Sequence, residues 1–304
     1  MWTSFRSSLP STTSMFAQLS TQVRSLNKLY YYDGGKGRWL RGNVEASPDF
    51  TASSNQLRSF SLVTWNVDFM ASFENARIRA AEVHKSCFDT LLAHKFIREF
   101  YHVTDIFLKN SYSTITLVPK SLAALVSAVE RVPFTDITKM QRDYLYVDLE
   151  IPLPSRLLRL RIANTHLESL PGFGDKARPK QLKIVADVLT GPNVNGGLVA
   201  GDMNCISPSD QGLPEQLGLT DAWLAMAVQP TTDGTDDTGE AEGHTWGYQP
   251  RCEFPPSRLD KVLTVGELKV VGIERIGVGL KIKDKDKWVS DHYGLLAKVV
   301  FPSE

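Results

Sequence analysis

Five short polar segments lie far apart in the chain, each at one end of an apolar run with the pattern of a strand. They are Thr64–Asp68, Asn164–Glu168, Gly201–Asn204, Arg258–Asp260 and Ser290–His292. Aspartate, asparagine and histidine are poor strand residues, so this repeated placement indicates that a sheet gathers them at one edge. Carboxylate, amide and imidazole groups together suit a hard divalent cation and a phosphate group. The sequence therefore predicts metal-dependent hydrolysis of a phosphodiester.

Asp202 and Asn204 follow the buried run Leu198–Gly201. A glycine before an aspartate at a strand end permits a sharp turn and the close approach of another group. Taken alone, such a segment is more often a plain turn closed by the aspartate side chain. In the functional interpretation, Asp202 orients and deprotonates a water molecule, and Asn204 donates a hydrogen bond to a phosphate oxygen.

Two histidines have candidate roles. His166 ends an alternating strand, and a structural role and a hydrogen bond to a phosphate oxygen are equally favoured.

His292 follows Asp291, and neighbouring residues in extended structure face opposite ways. Both therefore serve one site only if the backbone turns there; the alternative is a surface loop. In the functional interpretation, His292 stabilises the transition state and Asp291 helps to hold the metal. Asp260 would orient His292 by accepting from its second nitrogen.

Three further residues complete the candidate site. The amide oxygen of Asn66 is a reasonable ligand for a hard cation, although a polar strand end is the default interpretation. Trp246, close in sequence to Arg258, is more often a core residue; otherwise it lines a substrate groove for a base or an aromatic leaving group. We include both Trp246 and Arg258 among the substrate-binding candidates.

Strands must position most of these residues. The predicted strands that carry the site are Ser59–Val67, Leu158–His166, Gly197–Ala200, Leu259–Val265 and Tyr293–Phe301. Helices are predicted from near Glu74 toward Phe100 and over Pro179–Leu189. Many strands and few helices favour an α/β sandwich of two sheets with helices outside, in one domain over residues 57–304 after a Ser-rich tail, 1–56.

Composition excludes some function classes. Lys plus Arg and Asp plus Glu are both 34, so no global basic field attracts nucleic acid, and any attraction must come from local patches. The three scattered cysteines form no disulfide or zinc pattern. The longest apolar stretch, near Leu122–Val129, is too short to span a bilayer.

The N-terminal 32 residues contain no Asp or Glu but several Ser, Thr and basic residues. This composition is typical of a mitochondrial targeting segment, although a disordered tail explains it somewhat better. We expect a nuclear or cytoplasmic protein, with mitochondria as the alternative.

The segments resemble those of the endonuclease/exonuclease/phosphatase superfamily over roughly residues 59–302, and most closely its magnesium-dependent tyrosyl-DNA phosphodiesterases. The similar segments are Thr64–Asp68, Val103–Ile106, Asn164–Ser169, Gly201–Asn204, Asp221–Trp223 and Ser290–His292. The resemblance implies a four-layer α/β sandwich of two mixed β-sheets flanked by helices. It also implies a monomeric DNA repair enzyme that uses Mg²⁺, or alternatively Mn²⁺, to remove a tyrosyl or protein adduct from a DNA 5′ end.

The same resemblance assigns roles to individual residues. Asp202 would be the general base and His292 would stabilise the transition state. Asn66, Asn204 and His166 would contact the phosphate, and Asp291 would support the metal.

One departure from the family pattern stands out. The family has a second buried strand ending in Gln-Glu, whose Glu is the principal metal ligand, and no such strand is evident near residues 90–100. Glu82 and Glu99 fall in sequence that we interpret as helical. A lost exon near Leu91 explains this best; a degenerate relative that binds phosphate without catalysis is the alternative. A same-fold enzyme acting on RNA or a phospholipid head group also stays open.

Overall fold

The computed structural model describes residues 29–42, 57–67, 78–108, 112–227, 243–282 and 286–302. Several predicted features lie outside these ranges: the tail up to Lys28, Asp68, the helix start near Glu74 and most of the mitochondrial targeting segment.

The described strands form two sheets, of eight and six strands. The larger contains β1 (Tyr30–Asp33), β2 (Arg38–Arg41), β3 (Ser59–Val67), β4 (Ile78–His84), β5 (Tyr101–Val103), β6 (Tyr112–Pro119), β13 (Lys269–Ile276) and β14 (Gly294–Val300). The smaller contains β7 (Val126–Pro133), β8 (Asp143–Pro152), β9 (Leu157–His166), β10 (Gly196–Asp202), β11 (Thr220–Asp221) and β12 (Asp260–Gly266). The strand orders are β13-β14-β3-β4-β6-β5-β1-β2 and β11-β12-β10-β9-β8-β7.

Six α-helices connect the described strands. They are α1 (Lys85–Ala93), α2 (Lys95–Phe100), α3 (Lys120–Ala123), α4 (Phe173–Leu189), α5 (Leu213–Gln216) and α6 (Ala222–Ala227), with short 3₁₀ turns at Thr135–Ile137 and Pro208–Asp210. No described helix is both long enough and apolar enough to cross a lipid bilayer.

Three apolar clusters define the layers. The largest lies between the two sheets and includes Leu62 of β3 and Val147 of β8, both buried. A second cluster packs α4 on the outer face of the smaller sheet, through Leu182 and Val185. A third packs α1 and α2 on the outer face of the larger sheet, so the order is helix, sheet, sheet, helix. The predicted four-layer sandwich is confirmed.

The predicted helix from Glu74 to Phe100 is wrong in its first part. Residues Ile78–His84 are strand β4, which pairs parallel with β3 and antiparallel with β6. The run Arg79–Glu82 has helical propensity, but propensity is a weak prior that pairing on both sides of a central strand overrides. The helical part starts only at Lys85 and breaks once, between α1 and α2.

The segment before residue 57 contributes to the larger sheet. Strands β1 and β2 form a hairpin in which Tyr30 pairs with Arg41, and β1 also pairs with β5 through Tyr30 and Val103. These residues therefore extend the larger sheet at the end opposite to β13 and β14.

Candidate active site

Parallel pairing brings the first polar residues together. In β9 and β10, which run side by side in the same direction, His166 is the register partner of Asp202. On the other side of β10, the antiparallel strand β12 places Asp260 opposite Asp202. Three of the predicted site residues are thus neighbours across one sheet edge before any side-chain contact is considered.

A glycine makes the close approach at this edge feasible. Gly201 has φ +142°, and a Cβ added there would lie 1.9 Å from the backbone oxygen of Thr165. After Asp202 the chain turns sharply, because Asn204 has φ +48°, a conformation that asparagine tolerates better than most residues. The amide N–H of Asn204 donates to Oδ1 of Asp202 at 2.9 Å, which fixes that carboxylate.

The carboxylate of Asp202 is the centre of the cluster. Its Oδ2 accepts from Nδ2 of Asn66 at 3.0 Å, and it lies 3.4 Å from Nε2 of His166 and 3.8 Å from Nε2 of His292. Burial by itself would raise the pKa of Asp202, but the two imidazoles and the hydrogen bonds from Asn204 and Asn66 lower it below its ordinary value. Asp202 is therefore an ionised group at neutral pH.

His292 is held by a second carboxylate. Its Nδ1 lies 2.8 Å from Oδ2 of Asp260, and both residues are buried. Burial alone would lower the pKa of His292, but Asp260 and then Asp202 outweigh it and raise the pKa to about 10. The imidazole is consequently protonated at neutral pH, with Nε2 on the Asp202 side of the cluster.

The segment before β14 holds His292 in the cluster and leaves Asp291 outside it. Nε1 of Trp65 donates to the backbone oxygen of His292 at 2.9 Å, and the hydroxyl of Ser290 donates to the backbone oxygen of Asn66. His292 is buried in the cluster, whereas Asp291 is exposed and its Oδ2 accepts from Nε1 of Trp246 at 3.3 Å. The two neighbours face different surroundings, so Asp291 is not among the buried groups around Asp202.

The remaining substrate candidates separate into two places. Trp246 is half-buried, pairs with His292 through an isolated β-bridge and stacks near Phe254, with ring centroids 6.5 Å apart. Arg258 instead makes an ion pair with the buried Asp221, whose Oδ2 also lies 3.4 Å from Nζ of Lys261. The structure thus brings Trp246 beside the cluster and leaves Arg258 paired outside it.

Two predicted polar residues of the β9 segment have structural partners. Nδ2 of Asn164 donates to the backbone oxygen of Ile115 in the facing sheet. Glu168 accepts from the hydroxyl of Thr138 at 2.7 Å and from the amide of Lys139 at 2.9 Å. In the neighbouring segment, Nδ2 of Asn204 is also engaged, since it donates to the backbone oxygen of Leu167.

Glu82 lies on a strand, where the sequence interpretation expected a helix. Strand β4 places its backbone in register with Asn66 of β3, a residue that contacts Asp202. The helical interpretation of residues 74–100 hid this position, and the signal that could have revealed it is the segment Glu82-Val83 just ahead of α1.

Three buried side chains lie close enough together to be considered as metal ligands. Ligand atoms of Asp202, Asp260 and His292 all lie within 4.8 Å of one another. Because His292 and Asp260 are hydrogen-bonded to each other, these three residues are arranged as a group that transfers protons. We expect the oxygen ligands of a metal to come instead from Asn66 and a carboxylate near it. One oxygen of Asp260, Oδ1, is buried with no hydrogen-bond partner among the described residues.

Comparison with known families decides the wider relationship. The sequence of residues 82–292 matches the endonuclease/exonuclease/phosphatase family. The chain belongs to this family. The matched range begins at Glu82 and ends at His292, so it spans most of the cluster described above.

Solved endonuclease/exonuclease/phosphatase structures share the fold at low sequence identity. The structure of D. rerio TDP2 complexed with single strand DNA product has a TM-score of 0.61 and 17% identity, covering 79% of this chain and 98% of that one. TDP2 from C. elegans has a TM-score of 0.58 and 20% identity, covering 80% and 75%. The human Nocturnin catalytic domain with bound sulfate anion has a TM-score of 0.54 and 16% identity, covering 81% and 94%. Comparison with curated proteins gives no significant match.

Proposed function

We propose that this protein is a Mg²⁺-dependent phosphodiesterase that removes tyrosyl or protein adducts from DNA 5′ ends. The observation that supports it is the bracketing of one ionised carboxylate, Asp202, by two imidazoles, His166 and His292, at the edge of a rigid sandwich. A base beside two cationic or polar donors is the arrangement that hydrolysis of a phosphate ester needs.

Each side chain has a task in this proposal. Asp202 accepts a proton from the attacking water, because its lowered pKa keeps it ionised. His292, protonated and oriented by Asp260, donates from Nε2 to an oxygen whose negative charge grows in the transition state. His166 donates to a second non-bridging oxygen of the phosphate.

A metal would be held at the ends of β3 and β4. The residues that would hold it are Asn66 and Glu82, whose residue types supply the oxygen donors that suit Mg²⁺. The exposed Asp291 would support the metal through a water molecule. When bound, the metal supplies neutralisation of the charge that develops on the leaving oxygen. In this proposal Glu82 of β4 supplies the metal-ligand glutamate, and the chain is an active enzyme rather than an impaired relative.

Two aromatic side chains, Trp246 and Phe254, support DNA as the substrate class. The rings of Trp246 and Phe254 stack with centroids 6.5 Å apart, and the backbone of Trp246 pairs with that of His292. Phe254 is 60% exposed. Base stacking on such rings is independent of sequence, as expected for an enzyme that acts on DNA ends. One solved relative, the D. rerio TDP2, was crystallised with a single strand DNA product.

A hydrolysis assay on three substrates tests the proposal. With Mg²⁺, we expect this protein to cleave a 5′-phosphotyrosyl oligonucleotide faster than an RNA oligonucleotide or a phosphoinositide, and EDTA should stop the reaction. Asp202→Asn should lower turnover by about a hundredfold or more without changing the melting temperature greatly. Full turnover in Asp202→Asn would contradict the assignment, and a preference for RNA or the phosphoinositide would replace the substrate class.

A further inference from the structure

The hairpin of β1 and β2 lies outside the residues that match the family, 82–292, and no role described above uses it. It closes one end of the larger sheet, where β2 has β1 as its only neighbouring strand among the described residues. The other side of β2 therefore presents backbone N–H and C=O groups that no described strand pairs. Such an edge is a template on which another extended chain can add a strand.

The other three edges of the two described sheets are less suited to such pairing. Edge strand β13 has a register shift between Val270 and Gly272, and β7 has one between Val126 and Ala128. Irregularities of this kind disrupt the ladder that an incoming strand needs, and the edge strand β11 has only two residues. In β2, by contrast, every residue pairs with β1 in an unbroken register, and the strand contains no proline.

Two residues of β2 direct their backbone groups to the free side. The amide of Gly42 donates to the backbone oxygen of Leu29 at 3.4 Å, so these two residues form a hydrogen-bonded pair. Hydrogen-bonded pairs alternate along an antiparallel ladder with pairs that are not bonded, which leaves Trp39 and Arg41 facing away from β1. Each of them offers one N–H and one C=O to an added strand.

Contacts with the neighbouring helices hold this edge in place. Nε1 of Trp39 donates to the backbone oxygen of Leu92 at 3.3 Å, and the guanidinium carbon of Arg98 lies 4.3 Å from the centre of the Tyr32 ring. The rings of Tyr32 and Trp39 lie 5.5 Å apart in an edge-to-face arrangement. An edge that is already ordered loses little conformational entropy when a strand binds to it.

The charges on β2 select the partner. Arg38 and Arg41, at its two ends, are both exposed, and the strand has no acidic residue. Asp33, the register partner of Arg38 on β1, lies 3.6 Å from Nζ of Lys36, so the two arginines supply the net charge of the hairpin. Antiparallel pairing with β2 of a second copy would place Arg38 opposite Arg41, and like charges directly opposite each other are destabilising. Acidic residues three positions apart would place a carboxylate opposite each arginine instead.

We propose that the edge of β2 binds an extended acidic segment of a partner protein, which adds to the larger sheet as a further strand. The acidic residues of that segment lie opposite Arg38 and Arg41, and the two residues between them lie opposite Trp39 and Leu40. Because Trp39 and Leu40 are half-buried, β-branched side chains opposite them cover the apolar surface that remains. This inference is independent of the reaction at Asp202.

A charge-reversal experiment on the full chain tests the inference. The probes are two blocked, fluorescently labelled peptides, Thr-Glu-Val-Val-Glu-Thr and Thr-Lys-Val-Val-Lys-Thr, and binding is measured by fluorescence anisotropy. We expect the acidic peptide to bind about tenfold or more tightly than the basic peptide. The double variant Arg38→Glu, Arg41→Glu should reverse this preference, because each new carboxylate lies opposite a lysine of the basic peptide.

Lys95→Glu is the matched control, because Lys95 is also an exposed base but lies on α2 and not on the edge. It should leave the preference unchanged. An acidic peptide methylated at the backbone nitrogens of its first Glu and second Val, the residues opposite Arg41 and Trp39, should bind about tenfold more weakly or not at all.

Three results would overturn the inference. They are an unchanged affinity for the methylated peptide, a preference for the acidic peptide that survives the double charge reversal, and the absence of binding of the acidic peptide at about 1 mM. If a single-stranded oligonucleotide binds instead, and the double variant abolishes that binding, the arginines form a nucleic-acid contact and the added strand is ruled out.

Discussion

Two parallel strand pairs bring polar residues to the same edge, one in each sheet. In the smaller sheet β9 and β10 put His166 in register with Asp202, and in the larger sheet β3 and β4 put Asn66 in register with Glu82. Residues 167–195, which include the helix α4, connect the first pair, whereas only residues 68–77 connect the second. Parallel neighbours usually need a crossover of about a dozen residues or more. In both pairs a polar residue of one strand lies in register with a polar residue of the other. The comparison teaches that this pairing occurs even where the connection between the strands is shorter than usual.

The short connection between β3 and β4 changes the position at which we expect a lost exon. The sequence pattern suggests a loss near Leu91, but that residue is buried within α1 and packs in the outer cluster of the larger sheet. We place the deficit instead between Val67 and Ile78, because β4 is present and is paired on both sides. Sequencing the transcript across the codons for Asp68–Ile78 checks this hypothesis, which an uninterrupted match to the present sequence would rule out.

The largest expected effect comes from removing the carboxylate at the polar end of β4. Glu82→Gln should weaken Mg²⁺ binding by about 10–100-fold and lower turnover at least as much, because a carboxylate is replaced by a neutral amide. Calorimetric titration with Mg²⁺ and the hydrolysis assay measure the two effects. Glu99→Gln is the control and should change neither, since Glu99 is exposed on α2. Unchanged metal affinity in Glu82→Gln would show that Glu82 is not a metal ligand and that the polar end of β3 and β4 has no role comparable to that of β9 and β10.

A second prediction, on stability instead of activity, distinguishes the two strand pairs. Gly201→Ala should lower the free energy of unfolding by about 2–4 kcal/mol, since the new Cβ meets the backbone oxygen of Thr165. Strands β3 and β4 contain no glycine, so their pairing has no comparable dependence. Denaturant titration measures the change, with Gly272→Ala as the control, because a Cβ there meets only Lys298 at 3.9 Å. Equal losses of free energy of unfolding in Gly201→Ala and Gly272→Ala would show that the approach of β9 to β10 is not constrained at Gly201.

The smallest expected effect concerns a buried histidine of the larger sheet. Burial and then nearby Lys120 lower the pKa of His102 to about 4, in contrast to His292, whose carboxylate neighbours raise its pKa. The unfolded chain takes up this proton below about pH 6.5 and the folded protein only near pH 4, so stability falls as the pH decreases between these values. The expected loss is about 1–3 kcal/mol. Denaturation at several pH values measures it, and His102→Gln should flatten that part of the profile; an unchanged profile would contradict the cause.

Much of the site followed from residue types at strand ends. The alternation before His166, the buried run before Asp202 and the strand after His292 predicted β9, β10 and β14 closely. The roles of Asp291, Trp246 and Arg258 were less accessible to sequence reasoning, because they depend on which partner each side chain meets. Arg258 meets Asp221, which lies 37 residues earlier in the chain, and its charge is balanced by that contact.

The sequence by itself determined the set of acidic, amide and imidazole groups and the alternating strands that carry them, because side-chain period and strand propensity are local properties. Only the tertiary structure decided that Ile78–His84 is a strand and that the backbone of Glu82 pairs with that of Asn66, since a short ambiguous segment takes its conformation from the strands on either side. It also decided the ionisation of Asp202 and His292, because pKa values depend on burial and on charges that approach from distant parts of the chain.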